Sequence, residues 1–246
     1  MDLFRADLHI HTVLSPCGNL DMSPAKIIDK ATEQKIDIIG ITDHNSTKHC
    51  SLIKKLGQKN GIYVLMGAEV TTKEEIHCLA FFEEEYLLNE FQQYLWDQLP
   101  LVKNDPSYFG YQVVVDEDEN IIEEIEKLLI VGINQSINEV QDVIRKLNGL
   151  FIPAHIDRPG NSILSQLGFM PDNINPDAIE INGSTEGSIF KLKHPEFQNY
   201  TLLKNSDAHS LSQIGRRHSI FRINNISFGE IKLALNHKEG RKVIVP

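Results

Sequence analysis

Seven short apolar runs punctuate the chain, at residues 3–9, 36–42, 62–70, 77–82, 150–154, 178–181 and 201–206. Several are continuous, such as Ile38-Ile39-Gly40-Ile41 and Val64-Leu65-Met66, the pattern of strands covered on both faces in a parallel sheet. Between them the apolar spacing turns helical, with recognisable boundaries. Ser23-Pro24 offers an N-cap and a first-turn proline, Ser136 with Glu139 and Ser227 with Glu230 read as capping boxes, and Gly149 ends a helix striped by Val140, Val143, Ile144 and Leu147. The alternation predicts a βα repeat. Residues 83–120 interrupt it with a helical pattern over Leu88, Phe91, Leu95 and Leu99, the only tryptophan, Trp96, and a polar turn at 103–107. They are expected to form an insertion or a lid within one domain spanning 1–246, of the kind that often lies over the active face of a barrel.

Composition narrows this picture modestly. A chain of 246 residues suits one domain of barrel size or two small ones, and 41% hydrophobic content can fill a substantial core. The net charge of -10 argues against the broad basic footprint that grips duplex DNA. No apolar stretch approaches membrane-spanning length, and the opening MDLFRADLHIH lacks a charged leader followed by an apolar segment. Cys17, Cys50 and Cys78 make an odd number without CxxC spacing, which suggests neither a disulfide framework nor a zinc ribbon, so a cytoplasmic location is expected. Cys50 and Cys78 read as small core residues.

The chemistry-bearing side chains gather at the ends of the apolar runs: His9 and His11, Asp43 and His44, Glu69, His155, and Asp207 and His209. His77 departs, since it opens its run. In a strand alternate residues share a face, so His9 with His11, and Asp207 with His209, can each reach one ion. Imidazole and carboxylate are the usual ligands of zinc, manganese and iron, and clustering from five stretches points to a multinuclear metal site. In a parallel barrel the carboxyl ends of the strands converge on the face that carries the chemistry.

The strings Asp7-Leu8-His9-Ile10-His11-Thr12, Ile41-Thr42-Asp43-His44-Asn45, Gly67-Ala68-Glu69-Val70 with His77, Ala154-His155, and Ser206-Asp207-Ala208-His209 resemble, in order, the motifs of the PHP (polymerase and histidinol phosphatase) family. The resemblance implies a distorted (β/α)7 TIM-like barrel that binds two or three divalent ions per chain and hydrolyses phosphate esters. Carried over motif by motif, it implies that His9, His11, Glu69 and Asp207 hold one ion, that Glu69 bridges to a second held by His77 and His155, and that His44 and His209 hold a third. A bridging carboxylate suits a shared hydroxide between two ions. Asp7 and Asp43 read either as outer groups orienting imidazoles or as ordinary strand-end carboxylates. Where the family supplies a further third-ion ligand after His11, this chain offers Cys17, which reads equally as a ligand and as a small buried residue.

Arg158, three residues after His155, is the first choice for gripping substrate phosphate, because guanidinium binds phosphate oxygens bidentately. Arg216, Arg217 and His218 read either as the rest of a phosphate pocket, with Arg217 its candidate, or as a surface basic cluster. Asp207, His209 and Arg158 are the candidate catalytic residues. His49, His194 and His237 read as solvent-facing. There is no GxSxG, GxxxxGK[ST] or GxGxxG signature. The expected function is a metal-dependent phosphoesterase acting on a small phosphomonoester or short nucleotide. The competing readings are trimming of RNA or oligonucleotide ends and a non-catalytic metal-binding module, against which the full ligand set and the lack of an attached effector domain both argue.

Overall fold

The computed structural model describes residues 1–246. Each run read as a strand forms one: β1 (Asp2–Ile10), β2 (Ile38–Ile41), β3 (Tyr63–Thr71), β4 (His77–Phe82) and, after two short strands of the insertion, β5 (Val113–Val115) and β6 (Ile121–Glu124), then β7 (Leu150–Pro153), β8 (Ile179–Glu180) and β9 (Leu202–Leu203). Two unanticipated strands follow, β10 (Ser219–Ile223) and β11 (Lys242–Ile244). The helices are α1 (Pro24–Glu33), α2 (Cys50–Lys59), α3 (Glu85–Gln98), the single turn α4 (Pro106–Phe109), α5 (Ile137–Lys146), α6 (Ile163–Leu167), α7 (Gly187–Lys193) and α8 (Phe228–Leu235). The capping box at Ser136 and Glu139 forms in full, but Ser23 donates its hydroxyl to Glu119, and the Glu230 carboxylate goes to Asn224 and Arg241.

The main sheet has the order β11-β10-β1-β2-β3-β4-β7. Only β1–β2 and β2–β3 pair in parallel; β3–β4, β4–β7, β1–β10 and β10–β11 are antiparallel. The expected all-parallel repeat is therefore corrected. Residues 72–76 alone join β3 to β4, and a parallel crossover needs about a dozen residues or more, so the chain folds back as a hairpin. Reversal explains His77. The first residue of a reversed strand lies at the same end of the sheet as the last residues of its neighbours, and Thr71 pairs directly with His77.

The sheet curls into a half-barrel, and the parallel pair β8–β9 forms a separate small sheet across its gap. On one side Ile156 N–H donates to Glu180 O, and on the other Ile10 bridges to Ala208. The hydrogen bonding does not close a regular (β/α)7 ring. An inner apolar cluster holds Leu8, Leu65, Leu79, Phe81 and Ile152, with α8 contributing Ile231 and Leu235. Glu69 and His77 continue the face of Leu65 and Leu79. On β1, Leu8 belongs to the inner cluster but Ile10 to the outer one, and the pairing register with β2 shifts between Asp7 and Ile10. That irregularity exchanges the faces and turns His9 and His11 inward.

In the insertion, α3 sinks Leu88, Phe91 and Leu95 into the large core. The β5–β6 hairpin then lies along α1 and α2, tied by Lys26–Glu119 at 2.9 Å, Lys48–Glu123 at 2.6 Å and Lys55–Glu117 at 3.0 Å. Val113 and Val115 pack on Val13, just beyond His11. This segment props the loop that follows β1.

Candidate metal centre and phosphate cleft

Glu69, near the end of β3, is the hub of a knot of imidazoles. Its Oε1 lies 2.9 Å from His77 Nδ1, 3.2 Å from His155 Nε2 and 3.3 Å from His9 Nε2. Its Oε2 lies 3.2 Å from His44 Nδ1 and 3.4 Å from His11 Nε2. His9 Nε2 and His11 Nε2 are 3.2 Å apart, and Asp207 Oδ1 stands 3.3 Å and 3.4 Å from them. Four donors around an ion with bonds of about 2.0–2.1 Å sit roughly 3.3–3.4 Å from one another along the edges of a tetrahedron. The donors of His9, His11 and Glu69 thus already have ligand-to-ligand spacing, and Asp207 Oδ1 stands at that spacing from the two imidazoles. The donor atoms of His44, Glu69 and His77 form a second group within 4.8 Å of one another, and those of His11, Cys17, His44 and His209 a third. His155 reaches Glu69 but lies outside these groups. Two buried nitrogens, His44 Nδ1 and His155 Nδ1, have no hydrogen-bond partner, the former lying near Glu69 without the alignment of a hydrogen bond. The donor set fits divalent cations.

Three residues at this site hold left-handed backbone conformations rare for non-glycine residues: Asn45 at φ 46°, His155 at 28° and Asp207 at 50°. Each is pinned by its surroundings. Asn45 Nδ2 donates to Leu129 O and Val131 O, the N–H of His155 donates to Glu180, and the N–H of Ser206, just before Asp207, donates to Asp7 Oδ1 at 2.9 Å. Glu180 is a residue the sequence reading missed. Wholly buried on β8, it accepts from His9 Nδ1 at 3.0 Å, from the His155 N–H at 2.9 Å and from Asn205 Nδ2 at 2.7 Å. The signal was present, since Ala178-Ile179-Glu180-Ile181 sets one carboxylate inside an apolar run.

Asp7 touches no imidazole; its second oxygen accepts the N–H of Gly215 at 2.8 Å, so it anchors the loop bearing Asp207 and His209. Burial pushes its carboxyl up to about 6 despite these bonds. Asp43 acts on His11 through Ser15, accepting Ser15 Oγ at 2.6 Å while Ser15 Oγ meets His11 Nδ1 at 3.1 Å. Burial raises Glu69, but His77 and His9 outweigh it and hold the carboxyl well below its usual range. Burial likewise opposes a charged His9, but Glu180, Asp207 and Glu69 hold it well above the ordinary imidazole range. His209 is drawn down to about 4 by burial and by His11. Cys17 is exposed as a residue, yet its thiol is pushed up to about 12 by burial and by Glu69. Cys50 and Cys78 are buried core residues.

Beside the centre opens a cleft of about 400 Å³ whose lining includes His155, Arg158, Asn182, Asp207, His209 and Arg217. Arg158 Nη1 pairs with Asp207 Oδ2 at 3.2 Å. Arg217 crosses Gly183 so closely that a Cβ there would meet its Cδ at 2.0 Å, so the glycine makes room for the guanidinium. Arg216 is exposed, while His218 turns away to accept from Arg5 Nε at 3.2 Å. His194 and His237 are not buried, but His49, read as solvent-facing, is 1% exposed, and that expectation is corrected.

Residues 7–156 match the PHP domain family. The chain belongs to that family. The Bacillus subtilis protein YqxK is 27% identical over 277 residues, covering 99% of this chain and 65% of its own length. Among solved structures, the lesion-specific endonuclease Q of Pyrococcus furiosus superposes with a TM-score of 0.75 at 20% identity, over 98% of this chain and 58% of that one. A protein of Bifidobacterium adolescentis described as a putative metal-dependent phosphoesterase gives 0.59 at 17% identity, covering 83% of this chain and 87% of that one. This chain thus spans about two thirds of YqxK and less of the endonuclease, and these likenesses establish the PHP-type fold. No helix is long and apolar enough to cross a membrane.

Proposed function

We propose that this PHP-family protein is a metal-dependent phosphoesterase whose substrate places a phosphoryl group between the histidine cluster and Arg158 with Arg217, on a substrate of nucleotide size. The supporting observation is the juxtaposition of metal-spaced donors with a cleft of about 400 Å³ carrying two guanidinium groups. Such a volume lies within the range of sites for small ligands. His9, His11, Glu69 and Asp207 hold one ion; Glu69, His77 and His155, with His44 beside them, hold a second; His11, Cys17, His44 and His209 hold a third. Zinc, manganese or iron there supplies Lewis acidity and acidifies water. Arg158 and Arg217 orient the phosphate and offset its charge. His209, driven toward its neutral form by burial, keeps a lone pair available to the third ion at the exposed edge.

A second reading, cleavage inside a polynucleotide, is favoured by the fold likeness to endonuclease Q across 98% of this chain. The purified protein, loaded with manganese or zinc, should be assayed on p-nitrophenyl phosphate, nucleoside monophosphates, amino-alcohol phosphates and oligonucleotides with an abasic site. Chelator-sensitive release of phosphate from the small esters supports the first reading, and internal strand cleavage the second. A fully metal-loaded protein inert on every substrate would leave a binding module.

A further inference from the structure

His49 is buried at the start of α2 and belongs to no metal-donor group, yet both of its ring nitrogens are engaged. Nε2 accepts the N–H of Val115, in β5 of the insertion, at 2.9 Å. A nitrogen that accepts carries no proton, so the proton sits on Nδ1. Nδ1 therefore donates to Thr12 Oγ1 at 2.7 Å, and that hydroxyl donates to Asp43 Oδ2 at 2.7 Å. Asp43 Oδ1 accepts Ser15 Oγ at 2.6 Å, which leaves Ser15 Oγ to accept from His11 Nδ1 at 3.1 Å. His11 is thereby fixed with its proton on Nδ1 and a free lone pair on Nε2, the nitrogen that faces Glu69 and Asp207. Every proton in the chain from Val115 to His11 has one assignment.

We infer that His49 is a positioning residue that couples the β5–β6 hairpin to the metal-binding tautomer and orientation of His11. Two packing contacts run beside this relay. Val13 meets Val113 and Val115, and Gly110 lies so close to Pro16 that a Cβ would approach its carbonyl oxygen at 2.1 Å. The insertion thus holds the loop of residues 12–18 by one polar and two steric contacts. Outer-sphere partners of this kind set ring orientation and ligand basicity. The closest charge to His49 is Asp43, at 4.0 Å.

This inference rests on the proposed metal cluster, and binding energies separate it from a merely structural histidine. Coupling is reciprocal, so if the hairpin supports the ion, the ion must stabilise the hairpin by the same factor. The test is amide exchange at Val115 in the wild-type chain with and without manganese or zinc, joined to calorimetric titration of the same metal into His49 variants. His49→Asn keeps a donor near Nδ1 and loses the acceptor for Val115; His49→Gln keeps an acceptor near Nε2 and loses the donor to Thr12; His49→Phe loses both. Metal should slow Val115 exchange in the wild type, and affinity should fall about 3- to 10-fold in each polar variant and further in His49→Phe. Unchanged Val115 exchange on metal loading overturns the coupling even if His49→Phe fails to fold. Equal metal affinity in wild type and the folded variants does the same. A wild-type chain that binds neither metal overturns the cluster itself.

Discussion

The two ends of the metal centre are built differently. At the inner end His9, Glu69 and Glu180 are sealed from solvent, and the His9 ring is gripped by carboxylates at both nitrogens. At the outer end the side chains of Asp207 and His209 are each 29% exposed, Arg158 is 39% exposed, and Cys17 sits on a surface loop. The inner groups have no alternative partner in water, so each missing donor leaves a buried polar atom behind, at a cost of about 1–3 kcal/mol. The outer groups can trade a lost partner for solvent. Under the proposed function, the most tightly held ligands belong to the inner end, and substrate handling to the outer.

Substitutions at the two ends test this division. Glu69→Gln removes the carboxylate shared by five imidazoles and should strip the ions together, with activity falling more than about 100-fold, beyond the range of outer-sphere groups. Elemental analysis showing full metal content in that variant would break the distinction at its centre. Glu180→Gln leaves every ligand in place but weakens the His9 brace, and metal affinity should fall roughly 10- to 100-fold, as read by competition with a chelating dye. Arg158→Ala should leave metal content unchanged while lowering kcat/KM for a phosphate ester about 10- to 100-fold, the worth of one charge-assisted bidentate contact. A change in metal stoichiometry would show that Arg158 acts through its pair with Asp207.

Smaller effects fall on the outer loop. Cys17→Ser should release one ion and leave the Glu69 pair loaded, and because a thiol must shed its proton to bind, retention of that ion should rise with pH. An identical ion count in the variant returns Cys17 to a packing role. The mildest expected effect is acid loosening of the hairpin. Burial holds His49 below its ordinary value of 6.5 against the pull of Asp43, so below 6.5 the detached form binds the proton that the native form refuses. The stabilisation is therefore complete above 6.5 and is lost as pH falls. Hairpin protection, read relative to the intrinsic exchange rate at each pH, should decline as pH falls below 6.5, and this sensitivity should be absent in His49→Gln.

Much of this site was legible in the sequence because its donor side chains stand where apolar runs stop. His9, His11, His44, Glu69, His155, Asp207 and His209 needed only strand ends and alternation to be brought together. His77 broke the pattern for a reason also on the page, a connection too short for a parallel crossover. Glu180 was passed over because a strand of two residues, Ile179–Glu180, gives no periodicity to show that its carboxylate faces inward. His49 was misjudged because its partner, Val115, lies 66 residues away in a hairpin with only three residues in β5. Asp7 reads from the sequence either as an imidazole partner or as an ordinary strand-end carboxylate, and its carboxylate is spent on the backbone of residues 206 and 215, contacts that sequence spacing cannot reveal.

The tight reversal between β3 and β4 also bears on the order in which the centre assembles. Glu69 and His77 are eight residues apart, within one hairpin, whereas Asp207 meets His9 and His11 only after nearly the whole chain has returned to β1. Hairpins form in roughly 1–10 microseconds, and long-range closures lag because their entropy must be overcome before any contact rewards it. A carboxylate and an imidazole on that hairpin therefore meet while most of the chain is still unfolded. An ion captured there would be present during folding, a template around which the later ligands close.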